Sequence, residues 1–391
     1  MKIAKDDPIL IIGGGLAGIT TAVALQFYEF TNVHIFEREP LLPVPAYPVQ
    51  LGANALVALE DVGLAEIVRG SGLPWKALNI KWKSGKLLKS IPVDSIIQAT
   101  NFAPMNMAFT DLHRILKREL PDSMFHLGED LLSFTLGEDS VEAHFSNGDT
   151  HEGALLIGAD GLNSRVRLQM MGRTEVRQDG RVAYHAMLER GFLPEPDHEL
   201  LTQPQTEYWG PDKLCVLAAQ GELQASISLY LPKPALEPKS ISEWLSAEFE
   251  GWEVNIPEII QHVTDDAWVK KEVADIPPLR DWQDWRVCIT GDAAHPAYPY
   301  LGQSVSMTIE SAIALARAIH NNPKKLDRGL KNYQKVRIKR SRKAVKAAHR
   351  RAGSLAVTNP VACALRNAIM PAFPNFLGTN TWLKLNKERY F

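Results

Sequence analysis

The segment PILIIGGGLAGITTAVALQF, residues 8–27, changes residue pattern twice within a short span. Ile9 to Ile12 is a continuous apolar run, as a parallel strand covered on both faces requires. Glycines follow at positions 13, 15 and 18, and the small apolar residues from Ile19 to Phe27 read as a helix. Asn32 to Glu37 supplies a second strand, which completes a βαβ unit.

In that context Gly13-x-Gly15-x-x-Gly18 reads as a dinucleotide-binding turn. Gly13 allows the tight turn, Gly15 lets a pyrophosphate approach the backbone, and Gly18 lets helix and strand pack closely. The helix start at Leu16 and Ala17 adds free amides and a partial positive charge. Glu37 ends the second strand, where it can hold ribose hydroxyls, with Arg38 beside it. The acid leaves NAD and FAD open and argues against a 2′-phosphate; glycines that serve a turn alone are the plainer alternative.

Farther out, 391 residues suggest about two domains. A charged fraction of 23% with 43 Lys+Arg against 45 Asp+Glu gives a net charge of -2, which argues against a nucleic-acid partner. Cys215, Cys288 and Cys363 are widely separated and lack metal-ligand spacing, so a reducing, cytoplasmic setting is expected. The apolar run near the N-terminus is too short for a signal peptide, and no stretch reaches the roughly 18 apolar residues of a membrane helix. No integral membrane association is expected, and the chain is read as a monomer or homodimer.

Two further stretches matter. GADGLNSRVR, residues 158–167, follows an apolar strand, Ala154 to Ile157, with Asp160 at its centre. GDAAHPAYPYLGQSVSMTIESA, residues 291–312, follows the strand from Arg286 to Thr290. Val305, Ile309, Ala312, Ala316 and Ile319 form one apolar stripe, so a helix begins just after Gly302. Such a helix start stabilises negative charge of the kind a reduced flavin carries near its N1 atom.

With these three motifs in this order, the chain resembles the class A flavoprotein monooxygenases, the p-hydroxybenzoate and salicylate hydroxylase family. The resemblance implies an α/β fold, with a Rossmann-like FAD-binding domain, an interleaved β-sheet substrate domain and C-terminal helices. The expected division is 1–72, 101–174 and 281–355 for FAD, 73–100 and 175–280 for substrate, and 356–391 as a helical tail. It implies that Asp160 lies near the FAD pyrophosphate and that Asp292 bonds a ribityl hydroxyl. Gly302, Gln303 and Ser304 would present amides to the flavin ring, and Pro299 would lie near its reactive C4a edge. His295 is a candidate proton relay, or else a packed structural residue. The implied reaction uses NADH or NADPH as transient donor and O2. A flavin C4a-hydroperoxide would insert one oxygen atom into a small, aromatic or other ring-bearing substrate. Epoxidation, dehydrogenation or reduction on the same fold, and a redox-silent flavin-binding protein, are the alternatives.

The chain also departs from the family pattern. Ser304, Ser306 and Ser311 stand where glycine, asparagine and aspartate are usual, and Phe109 replaces an arginine. The segment Tyr47 to Gln50 differs from the usual glycine-rich one. His185 stands in place of an arginine and Leu214 in place of a histidine. With Tyr208 and Ala218 these are the expected substrate contacts. Their character implies ordinary variation in the pocket, or a substrate more hydrophobic than a benzoate. The basic run at 335–351 reads as a solvated helix face that attracts nicotinamide-cofactor phosphates, or as a surface for anionic lipid or a partner.

Overall fold

The computed structural model describes residues 1–42, 44–189, 205–220, 224–253, 256–371 and 379–389. Ile9–Ile12 is buried on both faces and pairs in parallel with Val33–Glu37 on one side and Leu155–Gly158 on the other. Val287–Ile289 and Phe125–Leu127 extend this sheet in parallel on its two sides, and Gln283–Asp284 adds a short antiparallel edge. The first helix, Leu16–Phe27, runs beside the buried helix Ser304–His320.

This strand order has a direct consequence. The glycine loop, the Asp160 loop and the Asp292 loop follow three adjacent parallel strands, so all three emerge at one carboxyl edge. Open α/β sheets bind ligands at that edge.

A second sheet has seven strands, in the order Val269–Asp275, Arg177–Glu189, Gln224–Pro232, Leu214–Ala219, Thr206–Trp209, Ala77–Trp82 and Leu87–Pro92. Its strands alternate strictly in which face they serve. One face packs Tyr184, Tyr208, Cys215 and Ile227 against Leu245, Phe249 and Ile259 of the helices Ile241–Glu248 and Ile256–Gln261. The other face looks toward the three motif loops.

The local structure differs from the sequence reading in places. The alternating pattern from Leu73 to Gln98 reads as β throughout, but the strands end at Pro92 and Asp94–Thr100 is a helix. The proline-rich residues 41–50 read as irregular from sequence, but Pro48–Leu51 is a strand that pairs with Met105–Ala108. Tertiary pairing decides both segments, which local composition does not. Residues 240–262 read as one helix from sequence, but they form two, one ending at Glu248 and the other starting at Ile256. The Asn147-Gly148 turn joins Val141–Phe145 to Thr150–Gly153, with Gly148 at φ +91°.

Candidate active site

A cavity of about 440 Å³ lies between the motif loops and the free face of the seven-stranded sheet. On the loop side, Gly18 carries the close approach: a Cβ there would stand 1.9 Å from the Gly13 carbonyl oxygen. Gly13 has φ +109°, and a Cβ on it would stand 2.5 Å from the Ala159 oxygen. Gly15 differs, because a Cβ there meets nothing within 4 Å. Gly15, Leu16 and Ala17 therefore face open cavity, as a backbone that receives a phosphate must.

Glu37 is buried; one carboxylate oxygen accepts from the Gly14 amide at 2.8 Å and the other from the Glu39 amide at 3.0 Å. Arg38 is exposed and pairs with Glu39 at 3.3 Å, outside the cavity. Asp160 uses one oxygen to accept from the Arg165 and Val166 amides, at 2.7 and 3.1 Å, while its other oxygen is buried without a hydrogen bond. Ser164 caps the same short helix by accepting from the Arg167 amide.

Gly302 has φ +59° after the turn Pro299–Leu301, and a Cβ on it would overlap the Gln50 side chain at 1.8 Å. The helix starts at Ser304 in ordinary α geometry, so serine in place of glycine imposes no left-handed backbone. Asp292, Pro299, Gly302 and Ser304 line the cavity. Burial raises the Asp292 pKa, with Lys271 and the Ser304 hydroxyl acting against that shift. Its Oδ1 is buried and has no hydrogen-bond partner.

Two side chains of this loop point elsewhere, although the expectation for Gln303 concerns its backbone amide. The Gln303 side chain lies toward Gly52 rather than into the cavity. His295 also lies behind the loop; its Nε2 is 2.7 Å from Ser311 Oγ, and its ring packs 5.2 Å from that of Trp282. Burial, helped by the Arg337 charge, lowers its pKa to about 3 and keeps it neutral. His295 does not line the cavity.

On the sheet side, His185 and Ala218 line the cavity. His185 Nδ1 is 2.8 Å from Ser228 Oγ, and burial beside Lys271 lowers its pKa to about 3. Tyr208 and Leu214 do not line it. Tyr208 pairs with Cys215 and Leu214 with Trp209, so the period of two sends Tyr208 to the opposite, helix-covered face. Leu214 is core, and its apolar character says nothing about the substrate.

The wall is more polar than its sequence suggested. Gln205 is fully buried, with neither its amide oxygen nor its nitrogen hydrogen-bonded, and the Gln220 amide oxygen is in the same state. Both line the cavity. Buried amides without partners cost about 1–3 kcal/mol each, so a ligand that bonds them recovers that cost.

Lys271 was also missed. Its ammonium stands 3.5 Å from the centre of the Tyr47 ring, and burial lowers its pKa to about 8. Tyr47 in turn stacks on Phe109, with ring centres 4.9 Å apart. Where the usual arginine gives way to Phe109, the positive charge at the cavity comes from Lys271. It was not legible because it sits in a run of three consecutive charges, KKE, that reads as exposed.

The basic helix, Leu326–Leu355, is only partly a solvated face. Arg337 and Arg340 are buried against Glu310, at 2.8 and 2.5 Å, and Arg351 pairs with buried Glu207 of the strand Thr206–Trp209. Lys335, Lys339, Arg342 and Lys346 remain exposed.

An adenine dinucleotide with a flavin ring suits the donors present. Gly15 leaves space for a pyrophosphate, Asp292 and Asp160 each hold an unpartnered oxygen, and a helix start lies at Ser304. The fold and these loops define an FAD-binding protein of the Rossmann-like class. Residues 6–198 match the family described as FAD binding domain. The chain is 28% identical over 364 residues to the aurachin C monooxygenase/isomerase of Stigmatella aurantiaca, with 93% of each chain covered. It is 27% identical over 348 residues to the 3-hydroxybenzoate 6-hydroxylase of Polaromonas naphthalenivorans (strain CJ2), covering 87% of this chain and 86% of that one. In fold it is similar to Klebsiella pneumoniae HpxO complexed with FAD and uric acid, with a TM-score of 0.86 at 21% identity, covering 97% of this chain and 96% of that one. The chain is similar to the class A flavoprotein monooxygenases and is an FAD-dependent monooxygenase. Among the described residues no helix is long and apolar enough to cross a membrane.

Proposed function

We propose that the cavity takes a small planar ring with hydrogen-bond donors and acceptors on its edge and one acidic substituent. The observation that carries this reading is the polar wall: the unpartnered Gln205 amide and the unpartnered Gln220 amide oxygen lie in the same cavity as the Lys271 ammonium. The relatives fit a ring-bearing substrate, since one is named a hydroxybenzoate hydroxylase and one fold neighbour is complexed with uric acid.

FAD would be held by the Gly13–Gly18 loop, Glu37, Asp160, Asp292 and the amides after Gly302. Bound there, it supplies electron transfer from NADH or NADPH and delivery of one oxygen atom of O2 to the ring. The chain's own residues do the rest. Gln205 and Gln220 orient the ring edge, and neutral His185, held by Ser228, offers one further polar contact. Ala183, Val216 and Ala218 exclude water from its faces. Lys271 holds the anionic substituent and, beside Asp292, fixes the charge balance of the site. Pro299 and Ser304 shape the loop wall. The segments 1–72, 101–174 and 281–355 act as the cofactor unit, and 73–100 with 175–280 act as the substrate unit.

The test is stopped-flow absorbance of the FAD-loaded protein with NADH or NADPH and a panel of aromatic acids. Substrate-stimulated flavin reduction, with 18O from labelled O2 in the product, is expected. Flavin that stays oxidised with every compound sinks the reading. Lys271→Met sharpens it. A charge-assisted bond contributes about 1.5–3 kcal/mol, so an anionic ligand should bind roughly tenfold to a hundredfold more weakly. A neutral isostere should be unaffected. Because Lys271 is charged below about pH 8 and neutral above it, anion affinity in the unmodified protein should fall as pH rises through that value.

A further inference from the structure

We infer that His126, Glu129 and His151 form a binding site for one divalent transition-metal ion of the zinc type, at the edge of the six-stranded sheet. None of the three lines the large cavity, and the proposed oxygenation does not use them. One ligand atom from each lies within 4.8 Å of the other two. They come from separate parts of the chain: the edge strand Phe125–Leu127, the loop after it, and the strand Thr150–Gly153. Their meeting is therefore a product of the tertiary fold.

Two of the three residues each offer an atom with no other partner. Glu129 Oε2 and His151 Nε2 are both buried from solvent, and neither has a hydrogen-bond partner. The third ligand is fixed by a chain of hydrogen bonds. Asn32 Nδ2 donates to the Asp6 carbonyl at 3.0 Å, so its Oδ1 is the atom 2.7 Å from His34 Nε2 and must accept. His34 Nε2 then carries the proton, and its Nδ1 accepts from His126 Nε2 at 3.0 Å. That leaves the His126 Nδ1 lone pair free. An outer partner that sets the tautomer of a ligating imidazole is the usual second layer of a metal site.

The rings are also held. His126 stacks on Phe36 with centres 4.6 Å apart, and His151 meets Phe145 edge-on at 5.5 Å. Two imidazoles and one carboxylate suit zinc, with the fourth position left to water. An ion there ties the strand Thr150–Gly153 to the edge of the cofactor-binding sheet. The Glu129 amide already donates to the Glu37 carbonyl, one residue beyond Phe36.

The test uses the FAD-loaded full chain, stripped with a chelator and titrated with Zn2+ by calorimetry. One equivalent at micromolar or tighter affinity is expected. Cu2+ bound in its place should show electron-spin hyperfine structure from two imidazole nitrogens. Glu129→Gln keeps the side-chain shape and should weaken zinc at least about tenfold, and His34→Gln, which removes the outer partner, should weaken it about 10–100-fold. The inference is overturned by any of three results: no saturable zinc binding beyond that of a folded His151→Ala variant, unchanged affinity in Glu129→Gln, or a copper spectrum without nitrogen couplings.

Discussion

The loop wall of the cavity is built from backbone that turns after adjacent parallel strands, whereas the facing wall is built from side chains on a twisted, mainly antiparallel sheet. On the loop wall, the groups that matter are amides and glycine vacancies, and each motif carries its own turn within about ten residues. On the sheet wall, what faces the cavity depends on register between strands far apart in sequence, such as His185 opposite Ser228 or Ala183 opposite Lys271. Shifting the pairing by one residue would exchange the whole set. Local constraint makes the first wall rigid in chemistry; the second is free to vary with substrate.

The largest expected effect therefore lies on the loop wall. Gly18→Val places a branched side chain where even a Cβ stands 1.9 Å from the Gly13 carbonyl oxygen, an atom of the backbone. The helix Leu16–Phe27 must move off its strand, and overpacking of this kind costs about 1–3 kcal/mol or more. The purified variant should be colourless and should not recover FAD on dialysis against it. A yellow Gly18→Val protein with unchanged melting temperature would mean that the loop wall tolerates change as the sheet wall does.

The next effect tests how the sheet wall is held. Glu207 is buried on the cavity-facing side of Thr206–Trp209, bonds the Trp209 indole at 2.9 Å and pairs with Arg351. Arg351→Met leaves that carboxylate buried without its cation, which costs about 3–5 kcal/mol when a pair is broken on one side. The thermal midpoint should drop while the remaining folded protein stays yellow. Glu207→Gln in the Arg351→Met background should restore part of the loss, and failure to do so would remove the ion pair from the account.

Much of the loop wall was legible from sequence. Gly13, Gly15, Gly18, Asp160, Asp292 and Gly302 sit in short segments whose spacing dictates the turn, and the parallel strands flanking them are plain apolar runs. Where the reading overreached, side-chain direction was the reason. His295 belongs to the same motif, yet its side chain leaves the loop on its far side. The basic helix was opaque for a related reason: Arg337, Arg340 and Arg351 are buried because Glu310 and Glu207 arrive from distant strands and helices. Composition alone shows a basic face and gives no sign of which charges are neutralised.

The smallest expected effect separates the two faces of one sheet. Tyr208 and His185 both stood out as substrate contacts by sequence, but only His185 reaches the cavity. Tyr208→Phe removes a hydroxyl on the helix-covered face and should change ligand affinity, read by flavin absorbance, less than about twofold, within the range of ordinary non-contact substitutions. His185→Leu leaves Ser228 unpartnered at the cavity surface, and the loss of one neutral hydrogen bond, about 0.5–1.5 kcal/mol, should weaken the ligand up to roughly tenfold. If Tyr208→Phe weakens the ligand as much as His185→Leu does, the register Tyr208–Cys215 that turns Tyr208 away is not the one the protein uses in solution.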